Sequence, residues 1–157
     1  MDGLSVAASV AGLFQATTKV ISFISVMTES SSTARNVLAE VKALQIIFSQ
    51  LQNFIDNFTE STEGADDRKA MISVNQLVAT LTGFFCAFTD LEQVLESLNT
   101  NEDSSSLFRL WSSAKWALKD KDLSRILSFL QIHKSSLGLI LQIIYWFVFV
   151  SSPPTPS

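Results

Sequence analysis

The first 28 residues of the chain carry only two charged side chains, Asp2 and Lys19, and most of the other positions are small or apolar. Weakly polar positions such as Ser5 and Ser22 fall on one stripe at helical spacing. The pattern predicts a helix from about Leu4 to Met27. Because so few of its positions are charged, we expect this helix to contact its neighbours on most sides.

Two later stretches place apolar residues at alternating spacings of four and three, the pattern of a helix that packs on another helix. They predict one helix from about Ala34 to Phe58 and another from about Ser73 to Leu98, with Ser73 and Gln76 as a capping box. The polar segment from Thr59 to Lys69 is the expected connection. Because the apolar stripes of these two helices have the same spacing and similar length, we expect the helices to pack as an antiparallel pair that crosses at about 20°.

The last third of the chain predicts a short helix from about Leu107 to Leu118 and a final helix from Leu123 towards Val148. Between them, the acidic and basic residues at 120–122 are expected to cap the final helix. The run at 137–150 is almost continuously apolar but shorter than the roughly 20 residues of a spanning helix. Three alternatives remain for it: a buried terminal helix, a membrane-associated tail, or a tail foreign to the domain.

These elements predict an all-α fold, a bundle of four long helices and one short helix. All three prolines lie in the last five residues, so the strongest helix breaker is missing from the preceding chain. Twelve Phe and three Trp supply large side chains for a core. We expect one domain over residues 1–150 and a disordered Pro/Ser tail over 151–157.

The net charge of −4 is unevenly distributed, with an acidic segment at 56–103 and a basic one at 109–134. Solvated faces are the commoner meaning of such a dipolar pattern, and contact of the basic part with anionic lipid is the alternative. Nucleic acid is not an expected partner, because the total charge is negative. The N-terminus lacks the basic region of a signal peptide, and we expect a cytoplasmic protein with recruitment to a membrane as a second location.

The residues that usually carry catalysis are scarce. Cys86 and His133 are the only cysteine and histidine; we expect Cys86 to be a core thiol and His133 to lie at the surface or edge of the bundle. The chain has no glycine-rich phosphate loop. We therefore predict no enzymatic activity, no cofactor, no metal site and no small-molecule substrate.

Five segments, taken in order, resemble one known family. They read MDGLSVAASVAGL at 1–13, QLQNFI at 50–55, ISVNQLVATLTG at 72–83, LWSSAKWALK at 110–119 and LQIHKSSL at 130–137. The set covers about residues 1–143 and is similar to the fungal N-terminal domain of STAND (NLR-like) proteins, a domain also labelled azaphilone pigment biosynthesis cluster protein L, N-terminal.

The resemblance implies a HeLo-like fold, related to the four-helix bundle of the mixed-lineage kinase-like executioner of necroptosis. Such domains usually precede a nucleotide-binding oligomerisation module and a repeat array. They are associated with heterokaryon incompatibility, defence and programmed cell death, and with an action on membranes through their N-terminal helix.

The first functional hypothesis is therefore an effector domain whose opening helix enters a bilayer. A helix over 4–27 is long enough to cross about 30 Å of hydrocarbon, and Lys19 can snorkel to the interface. The alternative is that this helix simply forms the centre of the bundle. The candidate insertion residues are Leu4, Val6, Val10, Leu13, Phe14, Val20, Ile21 and Ile24.

The second hypothesis is a signalling bundle that self-associates or recruits helical partners without touching lipid. Its candidate contact residues form an aromatic and basic segment: Phe108, Arg109, Trp111, Lys115, Trp116 and Lys119. The alternative is that the two tryptophans fill the gap between long helices. A third hypothesis is a truncated fragment of a larger STAND protein, because the residues after about 144 depart from the usual continuation.

Overall fold

A computed structural model describes residues 3–27, 31–59, 67–98 and 106–151, with side chains over 6–25, 31–56, 74–98 and 114–146. Four helices fill these ranges: α1 (Gly3–Met27), α2 (Ser32–Thr59), α3 (Asp67–Leu98) and α4 (Ser106–Ser151). The described ranges contain no strand, which confirms the all-α class. The expected tail falls, from residue 152 onwards, outside the described residues.

The predicted bounds of α1 and α2 agree with the structure to within about two residues. The predicted start of α3 is wrong, because the helix begins at Asp67 and not at Ser73. Ser73 therefore lies inside the helix and cannot form a capping box with Gln76. The residues from 67 to 72 include Arg, Lys, Ala and Met, which favour helix, and an aspartate is common at a helix start.

The predicted short fifth helix is also wrong, since α4 runs without interruption for 46 residues, a length of about 69 Å. The segment at 120–122 does not cap a helix. Its charges lie along the side of α4, where Lys119 Nζ and Asp122 Oδ2 are 3.8 Å apart. The buried side continues past them from Trp116 to Leu123, two helical turns further along.

The four helices form a bundle in which α1 and α4 each pack against both α2 and α3. In the described ranges, α2 and α3 have no close backbone approach, nor do α1 and α4, so each of these pairs lies on a diagonal. The predicted pairing of α2 with α3 as neighbours is therefore wrong. Their seams meet only through large side chains in the centre, where the Phe48 and Phe84 rings pack edge to face with centroids 5.1 Å apart.

The direction of neighbouring helices follows from residue contacts. Gly12 lies against Phe85 and Lys19 pairs with Glu92, so α1 and α3 run parallel. In the same way, Lys134 pairs with Glu40 near the start of α2, and later residues of α2 and α4 line one shallow apolar pocket. Helices α2 and α4 are therefore parallel neighbours. Because short connections join α1 to α2 and α3 to α4, the two helices of each of these pairs run antiparallel.

One apolar seam from each helix builds the core. The largest fully buried side chains are Leu13 and Ile24 of α1, Leu44 and Phe48 of α2, Leu81, Phe84, Phe88 and Leu91 of α3, and Leu123, Ile126, Leu130 and Leu137 of α4. Every helix thus occupies a corner of the bundle, with one side in the core and another side in solvent.

Candidate functional site

Helix α1, the predicted insertion helix, packs in the bundle through a buried seam, beside which Ala16, Ile21 and Phe23 are partly buried against the core. Six of its residues are buried at spacings of four and three: Val6, Val10, Leu13, Thr17, Val20 and Ile24. Of the other predicted insertion residues, Ile21 is partly buried against the core, whereas Phe14 is exposed. The side chain of Leu4 lies outside the described part of the chain.

The opposite side of α1 faces solvent, at Ala8, Ala11, Gln15, Thr18 and Ser22. The expectation that α1 contacts its neighbours on most sides is therefore wrong, and so is the alternative that it forms the centre of the bundle. The physical reason is the size of the outward side chains. Alanine, serine and threonine expose little apolar area to water, so the helix does not require a second covered side.

Lys19 and Thr18 of α1 make polar contacts with neighbouring helices at the surface. The Lys19 ammonium lies 3.4 Å from a Glu92 carboxylate oxygen, with both side chains partly in solvent. Gln45 Nε2 of α2 donates a hydrogen bond of 2.9 Å to Thr18 Oγ1. Exposed ion pairs and hydrogen bonds of this kind contribute about 1 kcal/mol or less.

The one buried polar side chain of the α1 seam is satisfied within the helix. Thr17 is fully buried, and its hydroxyl donates a 2.6 Å hydrogen bond to the Phe14 carbonyl three residues earlier. This hydrogen bond involves no other element. Thr17 would therefore keep its partner if α1 left the bundle as an intact helix.

A glycine brings α1 close to α3. A Cβ atom at Gly12 would stand 3.3 Å from Cζ of Phe85, which is a tight contact with the end of a half-exposed ring. The α3–α4 contact is closer still, because a Cβ atom at Gly83 would lie 2.6 Å from Nε2 of His133. His133 is half-buried there, at the edge of the bundle as predicted, and its ring centroid is 5.6 Å from that of Phe84.

The aromatic and basic segment does not form one exposed surface in its described part. Trp116 is only 4% exposed and belongs to the core, as the packing alternative predicts. Lys115 is half-buried, and Lys119 is paired with Asp122. The side chains of Phe108, Arg109 and Trp111 lie outside the described residues.

Sequence reasoning missed two exposed features. Cys86 is exposed and not a core thiol, because it points away from the side of α3 that buries Phe84 and Phe88. The C-terminal half of α4 buries Leu137 and Ile140 but exposes a second set of large side chains: Phe129, Ile132, Leu139, Ile143, Tyr145 and Trp146. Over residues 137–146, the expectation of a buried terminal helix therefore holds for one side of α4 only, and the side chains at 147–150 lie outside the described residues. Apart from Tyr145, these residues are spaced by three, seven, four and three positions, a helical period that could have revealed this second stripe from the sequence.

Two segments are long and apolar enough to cross a membrane by length and composition alone, Val6–Ser25 in α1 and Ala114–Trp146 in α4. Only 28% of the most apolar part of the first segment and 22% of that of the second are buried in the bundle. The core helix of a soluble bundle passes the same test. Among the described residues, no group of three or more His, Cys, Asp or Glu is placed to hold a metal ion.

No family model, curated protein or solved structure matches the chain. Function is therefore inferred from the resemblance of the five segments and from the geometry of α1 and α4.

Proposed function

We propose that the chain is a non-enzymatic effector or signalling domain of the HeLo-like type, of a fungal STAND system in programmed cell death, incompatibility or defence. Its action is the transfer of α1 from the bundle into a membrane. The observation that carries the proposal is that α1 packs on the bundle through apolar side chains, while the polar contacts of Lys19 and Thr18 with neighbouring helices lie at the surface. The five-segment resemblance and the four-helix architecture support it.

The α1 seam determines where the helix can go. Each buried Val, Leu or Ile contributes about 1.5–3 kcal/mol relative to exposure in water, so releasing five of them into water would cost on the order of 10 kcal/mol. Hydrocarbon offers the α1 side chains an apolar environment and offsets their part of the cost, whereas the core side chains of α2 and α3 that α1 covers must be covered again by the membrane or by repacking. Helix α1 is thus retained by the bundle in water and can be released at a bilayer.

Charge opposes the transfer only weakly. Lys19 is the only ionised side chain between Gly3 and Met27. A lysine at the centre of a spanning helix costs about 2.5–3.5 kcal/mol on insertion scales, and less where it can reach the interface. Lys19 is eight residues before Met27, about 12 Å along the axis, which is within reach of the headgroups for a long flexible side chain.

Dye leakage from liposomes that contain anionic lipid tests the proposal. We compare the wild type with a deletion of residues 1–27 and with Ala11→Glu. Because Ala11 is exposed, a glutamate there leaves the bundle folded but places a charge in the bilayer after insertion. Ala79→Glu is the matched control, since Ala79 is an exposed alanine on α3. We expect leakage from the wild type and Ala79→Glu, and at least about tenfold less from the other two.

Each protein is also tested as a fusion to a trimerising coiled coil, so that lack of oligomerisation cannot hide an activity. Circular dichroism checks that the substituted bundles remain helical. If all four fused proteins release dye equally, or none does, insertion of α1 is not the mechanism.

A further inference from the structure

The outward side of α4 carries a second seam, here called the outer seam: Phe129, Ile132, Ser136, Leu139, Ile143 and Trp146. Its spacings of three, four, three, four and three are those of residues that pack into a partner helix. The apolar members are 48%, 59%, 59%, 38% and 62% exposed in chain order. At 3.6 residues per turn, this seam is centred roughly 125° around the helix from the buried side of α4.

We propose that the outer seam binds the outer seam of a second copy of the chain, with the two α4 helices antiparallel. The spacing is self-complementary in that arrangement. Phe129 then faces Trp146 of the other copy, Ile132 faces Ile143, and Ser136 faces Leu139. All three pairs are centred on the same point between residues 137 and 138, where a two-fold axis would pass, as an isologous dimer requires.

The charge pattern permits two identical surfaces to meet. The positions beside the outer seam, Ser128, Ser135 and Gln142, are uncharged and exposed. No Asp, Glu, Lys or Arg occurs between Ser135 and Ser157. Pairing of two copies therefore brings no like charges together along the centre of the seam, which removes the usual electrostatic barrier to self-association.

The area is sufficient for a dimer. Aromatic side chains offer about 150–250 Å² each, so the two half-exposed aromatic and three aliphatic residues of the outer seam supply on the order of 500 Å² per copy. Full coverage of these five side chains in both copies would bury about 1,000 Å² in total, close to the minimum for a biological interface and typical of a weak dimer. An exposed apolar patch of this size is itself a mark of an interaction site.

A second copy explains the outer seam better than a lipid surface does. Three-four spacing is common to any helix with one apolar side, but lipid contact would also bring the exposed Ser128, Ser135 and Gln142 against the bilayer beside the apolar residues. The basic residues of the same side, Lys121 and Arg125, lie at one end only. This inference concerns α4 alone and does not depend on the proposed release of α1, which sits on the opposite corner of the bundle.

Light scattering coupled to size exclusion, with sedimentation equilibrium of the full chain from 1 to 200 μM (about the range of modest dimers), measures the association. We compare the wild type with Leu139→Glu and Ile132→Glu. The matched control is Ile46→Glu, because Ile46 of α2 is 61% exposed and lies outside the seam. We expect a dimer for the wild type and Ile46→Glu, and a dissociation constant raised at least about tenfold for the two seam variants.

Disulfide formation tests the direction and register of the dimer. In a Cys86→Ser background, a tagged Ser136→Cys chain is mixed with an untagged Leu139→Cys chain under mild oxidation. The antiparallel seam predicts a mixed disulfide between the two chains. A parallel seam predicts instead a disulfide between two Ser136→Cys chains.

Three results would overturn the inference: a monomeric wild type over the whole concentration range, equal association of all variants, or a predominant Ser136→Cys homodimer. Binding of the wild type to anionic vesicles is measured in parallel. If the seam variants lose vesicle binding and the wild type remains monomeric in solution, the outer seam contacts lipid and not a second copy.

Discussion

Helices α1 and α4 pass the same test for a membrane span, yet they differ in how their apolar residues are arranged. In α1 most large apolar side chains lie in the buried seam, and the outward side carries mainly small and polar residues, with Phe14 as the exposed large apolar side chain among those described. In α4 large side chains occupy both a buried side and the outer seam. Average hydropathy does not distinguish these cases. The first arrangement suits a helix that is covered in one state and released in another, and the second suits a permanent corner helix with a further contact.

Substitution of one leucine in each helix gives the strongest test of this difference in the arrangement of apolar residues. Leu13 is fully buried in α1 and Leu139 is 59% exposed in α4. We expect Leu13→Ala to lower the free energy of unfolding by about 2–5 kcal/mol through loss of burial and a cavity, and Leu139→Ala to change it by less than about 0.5 kcal/mol.

Urea unfolding followed by circular dichroism measures both values, at protein concentrations low enough to keep the chain monomeric. Equal losses for the two variants would mean that the outer side of α4 is covered within a single chain, which contradicts the geometry described above.

The ion pair between α4 and α2 is more buried than the ion pair between α1 and α3, so we expect it to contribute more to stability. Lys134 of α4 is 2.6 Å from a Glu40 oxygen whose side chain is 10% exposed, whereas Lys19 of α1 pairs with Glu92 in a more open position. We expect Lys134→Met to cost about 2–3 kcal/mol, since it leaves a mostly buried carboxylate without its cation. Lys19→Met should cost under about 1 kcal/mol.

Double-mutant cycles with Glu40→Gln and Glu92→Gln separate each pair energy from the effect of the single substitutions. A larger coupling for Lys19 with Glu92 than for Lys134 with Glu40 would show that α1 is the more firmly attached helix.

The smallest expected difference concerns two glycines at helix contacts, Gly12 of α1 against α3 and Gly83 of α3 against α4. Gly83→Ala would place a methyl group on the half-buried His133 ring and should cost about 1–3 kcal/mol. Gly12→Ala meets only the end of the Phe85 ring, and we expect a change within about 1 kcal/mol, partly offset by the higher helix propensity of alanine.

Thermal unfolding of both variants measures the difference. The Gly83→Ala/His133→Ala double variant is the control, because removal of the ring relieves the overlap and should recover part of the lost stability. No recovery would mean that the loss at Gly83 has another origin.

The helical segments could be predicted where local periodicity was uninterrupted, as in α1 and α2. Prediction failed where charged residues are equally compatible with a helix surface and with a cap. Asp67 to Lys69 open α3, and 120–122 lie on the side of α4, because the seams beyond them find partners in the bundle. Whether such charged residues cap a helix or lie on its surface depends on the burial of residues one or two turns away, and not on the charged residues themselves.

For the candidate site, the sequence indicated the seam residues of α1 but not which side of the helix stays exposed. Phe14 was grouped with Leu13, although a rotation of about 100° separates neighbouring residues and places Phe14 outside the core. The same rotation explains Cys86, which lies in an apolar run between two buried phenylalanines and is exposed.

Local sequence patterns were enough to predict that the chain is helical, roughly where the uninterrupted helices lie, and that α1 is almost free of charge. The choice of neighbouring helices, the diagonal position of α2 and α3, and the exposed apolar side of α4 became visible only in the folded bundle. The reason is that a seam with three-four spacing fits any other seam of the same kind. Only simultaneous packing of all four helices, joined by short connections, selects the partners and leaves one side of each helix in water.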